Sequence, residues 1–232
     1  MRFYPIFLCL LVMAACYNEP EFPVEPDIEF RSVQFVDNTD PRFPDDTLKV
    51  TVSFRDGDGD LGIIPPGQHF YDSVFDINGQ RRYIRYGEFD TLPAHNCSNY
   101  RTGYFDPNGR FVPSVLRQEV TDTIYIRPNS LYYNFFLDIY RIVNGQEERF
   151  DFIESSYPRC GVTPNGRFRL NNADDNKPLS GTVTYNFTSQ FLLPFFSDDS
   201  LIVRVRIADR AGNMSNQVES QVFTLRGIQV NR

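Results

Sequence analysis

The sequence contains no tryptophan and only two histidines. A Ser-His-Asp or Cys-His catalytic arrangement would need His69 or His95, and neither residue lies in a matching motif. The sequence also lacks a long helical periodicity, and its longest apolar run is about ten residues, whereas a membrane-spanning helix needs roughly twenty. We therefore expect a protein that is not an enzyme and is built mainly from strands.

The one apolar run lies at the amino terminus, where it has the composition of a secretory signal. Arg2 precedes the apolar residues 6–13, and small residues follow. The segment Met13-Ala14-Ala15-Cys16 resembles a bacterial lipobox, whose cysteine is lipidated and becomes the mature amino terminus. An ordinary cleaved signal is the alternative. We expect residues 1–15 to be removed and Cys16 to carry a lipid anchor in the outer membrane.

An even number of cysteines remains once the signal segment and the lipidated cysteine are set aside. Cys9 leaves with the signal and Cys16 takes the lipid, so Cys97 and Cys160 remain. In an exported protein such a pair predicts a disulfide. Closing a loop of about 64 residues would stabilise the fold by roughly 4 kcal/mol in the chain-entropy model. A metal site is the rival interpretation, but it lacks further ligands at suitable spacing.

The charge balance is acidic, which disfavours some partners. The chain has 23 basic and 30 acidic residues, and removal of residues 1–15, which contain one arginine and no acid, changes the net charge from −7 to −8. Such a charge disfavours nucleic acid and anionic membrane surfaces. Residues 16–28 carry Pro20, Pro23 and Pro26 between acidic residues and predict an extended tether without a core.

The rest of the chain predicts an all-β fold. Leu48, Val50, Val52 and Phe54 alternate with polar residues, as in a half-buried strand. The dipeptides at 78–79 and 144–145 are Asn-Gly, a strong hairpin signal. About ten short strands predict one antiparallel β-sandwich domain over residues 29–228, with a long loop and hairpin insertion at about 79–180. We expect residues 87–118 to be irregular.

Two loops stand out by composition. Residues 56–62 read Asp-Gly-Asp-Gly-Asp-Leu-Gly, directly after the alternating strand, and residues 209–216 read Asp-Arg-Ala-Gly-Asn-Met-Ser-Asn. This pair of motifs resembles a family of exported Bacteroidetes lipoproteins of unknown function. The resemblance implies an immunoglobulin-like β-sandwich. In that topology, the early loop joins the second and third strands and the late loop joins the last two, so both lie at one end.

Convergence of these loops predicts a cation site. Ca²⁺ takes six to eight oxygen ligands in flexible geometry, which side chains and backbone carbonyls of the two loops could supply. The alternative is that the aspartates only cap tight turns. The loop is not an EF-hand, because its sixth and twelfth positions are Leu61 and Gly67. The predicted ligands are Asp56, Asp58, Asp60, Asp209 and Asn213.

The function expected from these features is that of a membrane-anchored cell-envelope lipoprotein, a non-catalytic binding or structural module stabilised by calcium. One alternative is a surface glycan-binding accessory protein, and another is a carboxylate-dependent hydrolase that uses a pair of the many acidic residues. The partner would be a protein or a glycan. Aromatic residues that could line a sugar-binding face are Tyr132, Tyr133, Phe135, Phe136, Tyr140, Phe191, Phe195 and Phe196.

Overall fold

A computed structural model describes residues 21–38, 45–62, 69–114, 120–156, 163–170 and 177–230 of the chain. The described part is predominantly β, with one short α-helix, α1 (Leu192–Phe196), and two 3₁₀ helices, Glu154–Ser156 and Arg226–Ile228. The strands are β1 (Asp27–Val36), β2 (Asp46–Asp56), β3 (Tyr71–Asp72), β4 (Phe75–Ile77), β5 (Gln80–Arg82), β6 (Tyr100–Phe105), β7 (Phe111–Pro113), β8 (Asp122–Tyr125), β9 (Arg127–Pro128), β10 (Phe135–Val143), β11 (Gln146–Arg149), β12 (Leu179–Ser189), β13 (Leu201–Ile207) and β14 (Val218–Glu219). The prediction of an all-β fold is confirmed.

Two antiparallel sheets form the main body. One has the strand order β1-β2-β12 and the other β11-β10-β13-β14. The alternation read from the sequence places one face of β2 in the interior: Leu48, Val50 and Val52 are all 0% exposed. The matching face of β13 buries Val203 and Val205. Since these residues belong to one hydrophobic cluster, the two sheets share a single core.

An aromatic contact joins the two sheets. Phe135 of β10 stacks on Tyr185 of β12 with ring centroids 4.5 Å apart, and Phe135 also contacts the edge of Phe168. Aromatic pairs at such distances stabilise a core by about 0.5–1.5 kcal/mol beyond the area that they bury. Gly166 lies against the ring of Tyr185, where a Cβ atom would come within 2.1 Å of Tyr185 Cε2. Only glycine therefore fits at this approach.

Both predicted hairpins are confirmed. Asn78 and Gly79 have φ of 51° and 75°, and Ile77 pairs with Gln80. The same geometry recurs at residues 144–145, between β10 and β11. Positive φ at both central positions defines the turn type that matches strand twist, and asparagine followed by glycine tolerates it best.

Residues 71–128 form three small sheets apart from the main core. Their strand orders are β3-β9, β4-β5 and β7-β6-β8, and Phe111, Ile124 and Ile126 form a second buried cluster. The expectation of irregular structure at 87–118 is wrong for β6 and β7. β6 pairs with β8 in an antiparallel ladder, with Tyr100 opposite Tyr125. No local sequence pattern indicates a pairing between these distant segments. Residues 135–149, inside the expected insertion at 79–180, form β10 and β11 of the main body.

The lipobox, with the predicted lipidation site Cys16, lies outside the described residues, as does Cys160. Cys97 is 1% exposed, and its backbone N–H donates to Glu154 Oε1 at 2.9 Å. Glu154 is six residues before Cys160 in the sequence. The disulfide itself stays a prediction.

The described end of the predicted tether contacts the folded domain. β1 begins at Asp27, within that segment, and Ile28 is buried in the main core. The Gly57 N–H donates to Pro23 O at 2.8 Å. Among the described residues, no helix has the length and apolar character needed to cross a membrane.

Candidate metal centre

The candidate centre begins where β2 ends. Asp56 is the last residue of β2, and the chain then turns through Gly59, whose φ is 73°. The turn ends at Leu61, which forms an isolated antiparallel bridge with Asp209. The early and late loops therefore lie side by side, as the sequence predicts.

Asp56 is the most enclosed of the acidic residues here. Its side chain is 0% exposed, and Oδ2 accepts a hydrogen bond from the Leu61 N–H at 3.2 Å. Oδ1 is also buried and has no hydrogen-bond partner in the described structure. A buried carboxylate oxygen without a donor costs free energy. The site therefore leaves one strong acceptor unsatisfied in the interior.

Asp58 and Asp60 face the same space. One carboxylate oxygen from each of Asp56, Asp58 and Asp60 lies within 4.8 Å of the others. Asp60 Oδ2 accepts from the Ala211 N–H at 3.0 Å, whereas its Oδ1 is buried without a partner. Two acceptors thus remain open among three neighbouring carboxylates. That is the donor chemistry of a hard divalent cation site.

The late loop is held mainly by its own hydrogen bonds. Asp209 Oδ1 accepts from the Asn213 N–H at 2.7 Å, and Asp209 Oδ2 accepts from Asn213 Nδ2 at 2.8 Å. These two predicted ligands therefore pair with each other and lie beside the group of three. The Arg210 Nε–H donates to Asp60 O at 3.0 Å, which fastens the late loop to the early one.

Burial and neighbouring negative charges shift the pKa values of the aspartates in this loop. The pKa of Asp56 is raised from 3.8 to about 6, chiefly by burial and then by the charges of Asp58, Asp60 and Asp209, while the hydrogen bond from the Leu61 N–H opposes the rise. The pKa of Asp60 is raised by burial and then by Asp209 and Asp58. Clustered carboxylates disfavour one another's ionised forms. A bound cation would reverse this repulsion.

One further contact at the acidic loop has no signature in the sequence pattern. A Cβ atom on Gly57 would lie 2.4 Å from Phe22 O and 2.7 Å from Pro23 O. The residues preceding β1 therefore pack directly on the acidic loop, and glycine is required there. A segment rich in proline and acid has no periodicity that would reveal this docking.

The aromatic residues considered for a sugar-binding face do not share one surface. Phe135 and Phe196 are 0% exposed in the core. Tyr132 and Tyr133 contact the edge of the Phe70 ring, and Phe191 is 44% exposed beside Phe195. The Arg204 guanidinium lies 4.4 Å from the centre of the Tyr140 ring. These residues serve the core and separate surface contacts.

Comparison with known proteins finds no match. It matches no protein-family model, no curated protein and no solved structure. The functional argument therefore depends on the geometry described above.

Proposed function

We propose that this protein is a lipid-anchored module of the bacterial cell envelope that acts by binding and is stabilised by calcium. The observation that carries the cation proposal is Asp56 Oδ1, a fully buried carboxylate oxygen without a hydrogen-bond partner. One carboxylate oxygen from each of Asp56, Asp58 and Asp60 lies within 4.8 Å of the others. An ion would satisfy these acceptors, and water would complete the six to eight ligands that calcium takes.

The proposed domain type is an immunoglobulin-like β-sandwich. The strand orders β1-β2-β12 and β11-β10-β13-β14 correspond to the arrangement A-B-E and C′-C-F-G of such domains. In this assignment the acidic loop follows strand B, and the loop at 209–216 joins strands F and G. These loops belong to the same end of an immunoglobulin-like domain, in agreement with the bridge between Leu61 and Asp209.

Calcium is expected to stabilise the purified domain measurably. At a concentration one hundred times its dissociation constant, a ligand that binds only the folded state contributes about 2.7 kcal/mol. For a domain of this size that corresponds to a rise in the melting midpoint of about 5–10 °C. Thermal melting after chelation, with and without millimolar calcium chloride, measures this rise.

Matched variants make the measurement specific. Asp58→Asn removes one of the three proposed ligands and should at least halve the rise. Asp76→Asn removes the same charge from a side chain that is 74% exposed and should leave the rise intact. Equal midpoints with and without calcium in the unaltered protein would refute the cation site.

The membrane anchor is proposed from the resemblance of residues 13–16 to a lipobox. In a Gram-negative host, Cys16→Ser is expected to move the full-length protein out of the detergent-soluble membrane fraction. Cys9→Ser lies within the proposed signal and should leave the protein with the membrane. Immunoblots of the separated fractions report both results. Membrane retention of the Cys16→Ser protein would contradict lipidation.

A further inference from the structure

The sheets of residues 71–128 enclose an open cleft of about 960 Å³. Its walls come from segments that are distant in the sequence: Tyr71 on β3, Arg81 on β5, Phe111 on β7 with the preceding Arg110, and Arg127 on β9. A volume of this size is typical of ligand-binding clefts. The acidic loop contributes no residue to the described walls.

The cleft is positive in an otherwise acidic protein. Its walls carry Arg81, Arg110 and Arg127 against a single carboxylate, Asp72, while the whole chain has a net charge of −7. Arg127 is paired with Asp72 at 2.9 Å. The two remaining guanidinium groups therefore give the cleft a local excess of positive charge.

Those two guanidinium groups are weakly neutralised. Arg110 makes no ion pair with any described residue. Arg81 approaches only Asp76, at 3.9 Å, and both side chains are about three-quarters exposed. Arginine binds a carboxylate through two parallel hydrogen bonds, so free guanidinium groups in a cleft favour an anionic ligand.

Aromatic rings line the cleft together with the arginines. Tyr71 and Tyr83 are half-buried, and Phe111 is 7% exposed beneath Tyr83, with ring centroids 6.1 Å apart. Tyrosine offers both an apolar ring and a hydroxyl group. A ligand that fits this wall has apolar faces, polar edges and negative charge.

The strands that border the cleft disfavour an extended peptide as its ligand. A peptide that adds to a sheet edge needs backbone N–H donors, and proline has none. Pro113 on β7 and Pro128 on β9 both line the cleft. A sugar chain makes no such demand, because it bonds through hydroxyl and carboxylate groups.

We propose that this cleft binds an acidic carbohydrate, an oligosaccharide whose uronic acid carboxylates are held by Arg81 and Arg110. The inference deepens the proposed binding function and rests on it. The carboxylates accept hydrogen bonds from the guanidinium groups, and the sugar rings lie against the tyrosines. The site is separate from the calcium loop, so each can fail without the other.

Isothermal titration calorimetry with tetragalacturonate tests the proposal on the purified protein. Binding should be weakened at least tenfold by Arg110→Gln and about a hundredfold when Arg81→Gln is added, since each substitution removes a charge-assisted contact. Fully methyl-esterified tetragalacturonate keeps the sugar chain without its charges and should not bind. Arg226→Gln removes the same charge from an exposed position outside the cleft and should leave the affinity unchanged.

Other outcomes would overturn the inference. No heat of binding at millimolar tetragalacturonate refutes it, as does equal weakening by Arg110→Gln and Arg226→Gln. If tetraglutamate binds as tightly as the sugar, the cleft takes acidic peptides. The arginine variants should keep the calcium-dependent rise in melting midpoint, which shows that they are folded. A preserved calcium response without sugar binding refutes this inference alone, and sugar binding without a calcium response refutes the cation site alone.

Discussion

In metal-free protein at neutral pH, Asp56→Asn is expected to raise the melting midpoint and to abolish its dependence on calcium. Above pH 6 the Asp56 carboxyl is ionised although its side chain is 0% exposed. Holding the charge there costs up to about 3 kcal/mol, from a pKa raised by roughly two units. Asparagine removes this cost, and its Nδ2 can donate to the neighbouring carboxylates. The gain of about 1–3 kcal/mol corresponds to about 3–10 °C.

The same variant loses the buried oxygen on which the proposed cation site depends, so calcium should no longer raise its melting midpoint. Asp46→Asn is the matched control, because Asp46 begins the strand that Asp56 ends, is 5% exposed, and has a pKa that burial raises. That control should respond to calcium as the unaltered protein does. A metal-free Asp56→Asn protein less stable than the parent, or one that still responds to calcium, would contradict the role assigned to Asp56.

Local patterns predicted the parts of the fold that local physics determines. The alternation of Leu48, Val50 and Val52 predicted β2, because side chains of a strand point to opposite faces. The Asn-Gly turns predicted two hairpins through the positive φ that they require. β6 was missed because its pairing with β8 depends on residues distant in sequence. A segment rich in turn residues gives no sign that a distant strand will complete it.

The candidate centre likewise combines features that the sequence predicted with features that it did not predict. Composition identified Asp56, Asp58 and Asp60, and a topological argument correctly placed the late loop beside them. The pairing of Asp209 with Asn213 is a matter of side-chain geometry, which composition cannot separate from ligation. The cleft was not predicted at all. Two of its arginines lie on strands β5 and β9 and the third directly precedes β7, and these segments become neighbours only in the folded chain.

The stability of the metal-free protein is expected to fall as pH rises from about 4 to about 7. Asp56 has a pKa of about 6 in the fold against an ordinary 3.8, so the folded state binds more protons than the unfolded state between those values. Stability decreases with pH wherever that holds, and the full loss from Asp56 is about 3 kcal/mol. The raised pKa of Asp60 adds a loss of the same sign.

Calcium should remove this loss at neutral pH, because the ion binds the deprotonated carboxylates and protons compete with it. Urea unfolding midpoints at pH 5 and pH 7, in metal-depleted buffer and in millimolar calcium, measure both effects. The stabilisation by calcium should be larger at pH 7 than at pH 5, and Asp56→Asn should flatten the metal-free dependence. A metal-free midpoint that rises between pH 5 and pH 7 would contradict the assignment. We therefore expect the acidic loop to destabilise the fold when its carboxylates are ionised without a bound cation, and to stabilise the fold when calcium is bound.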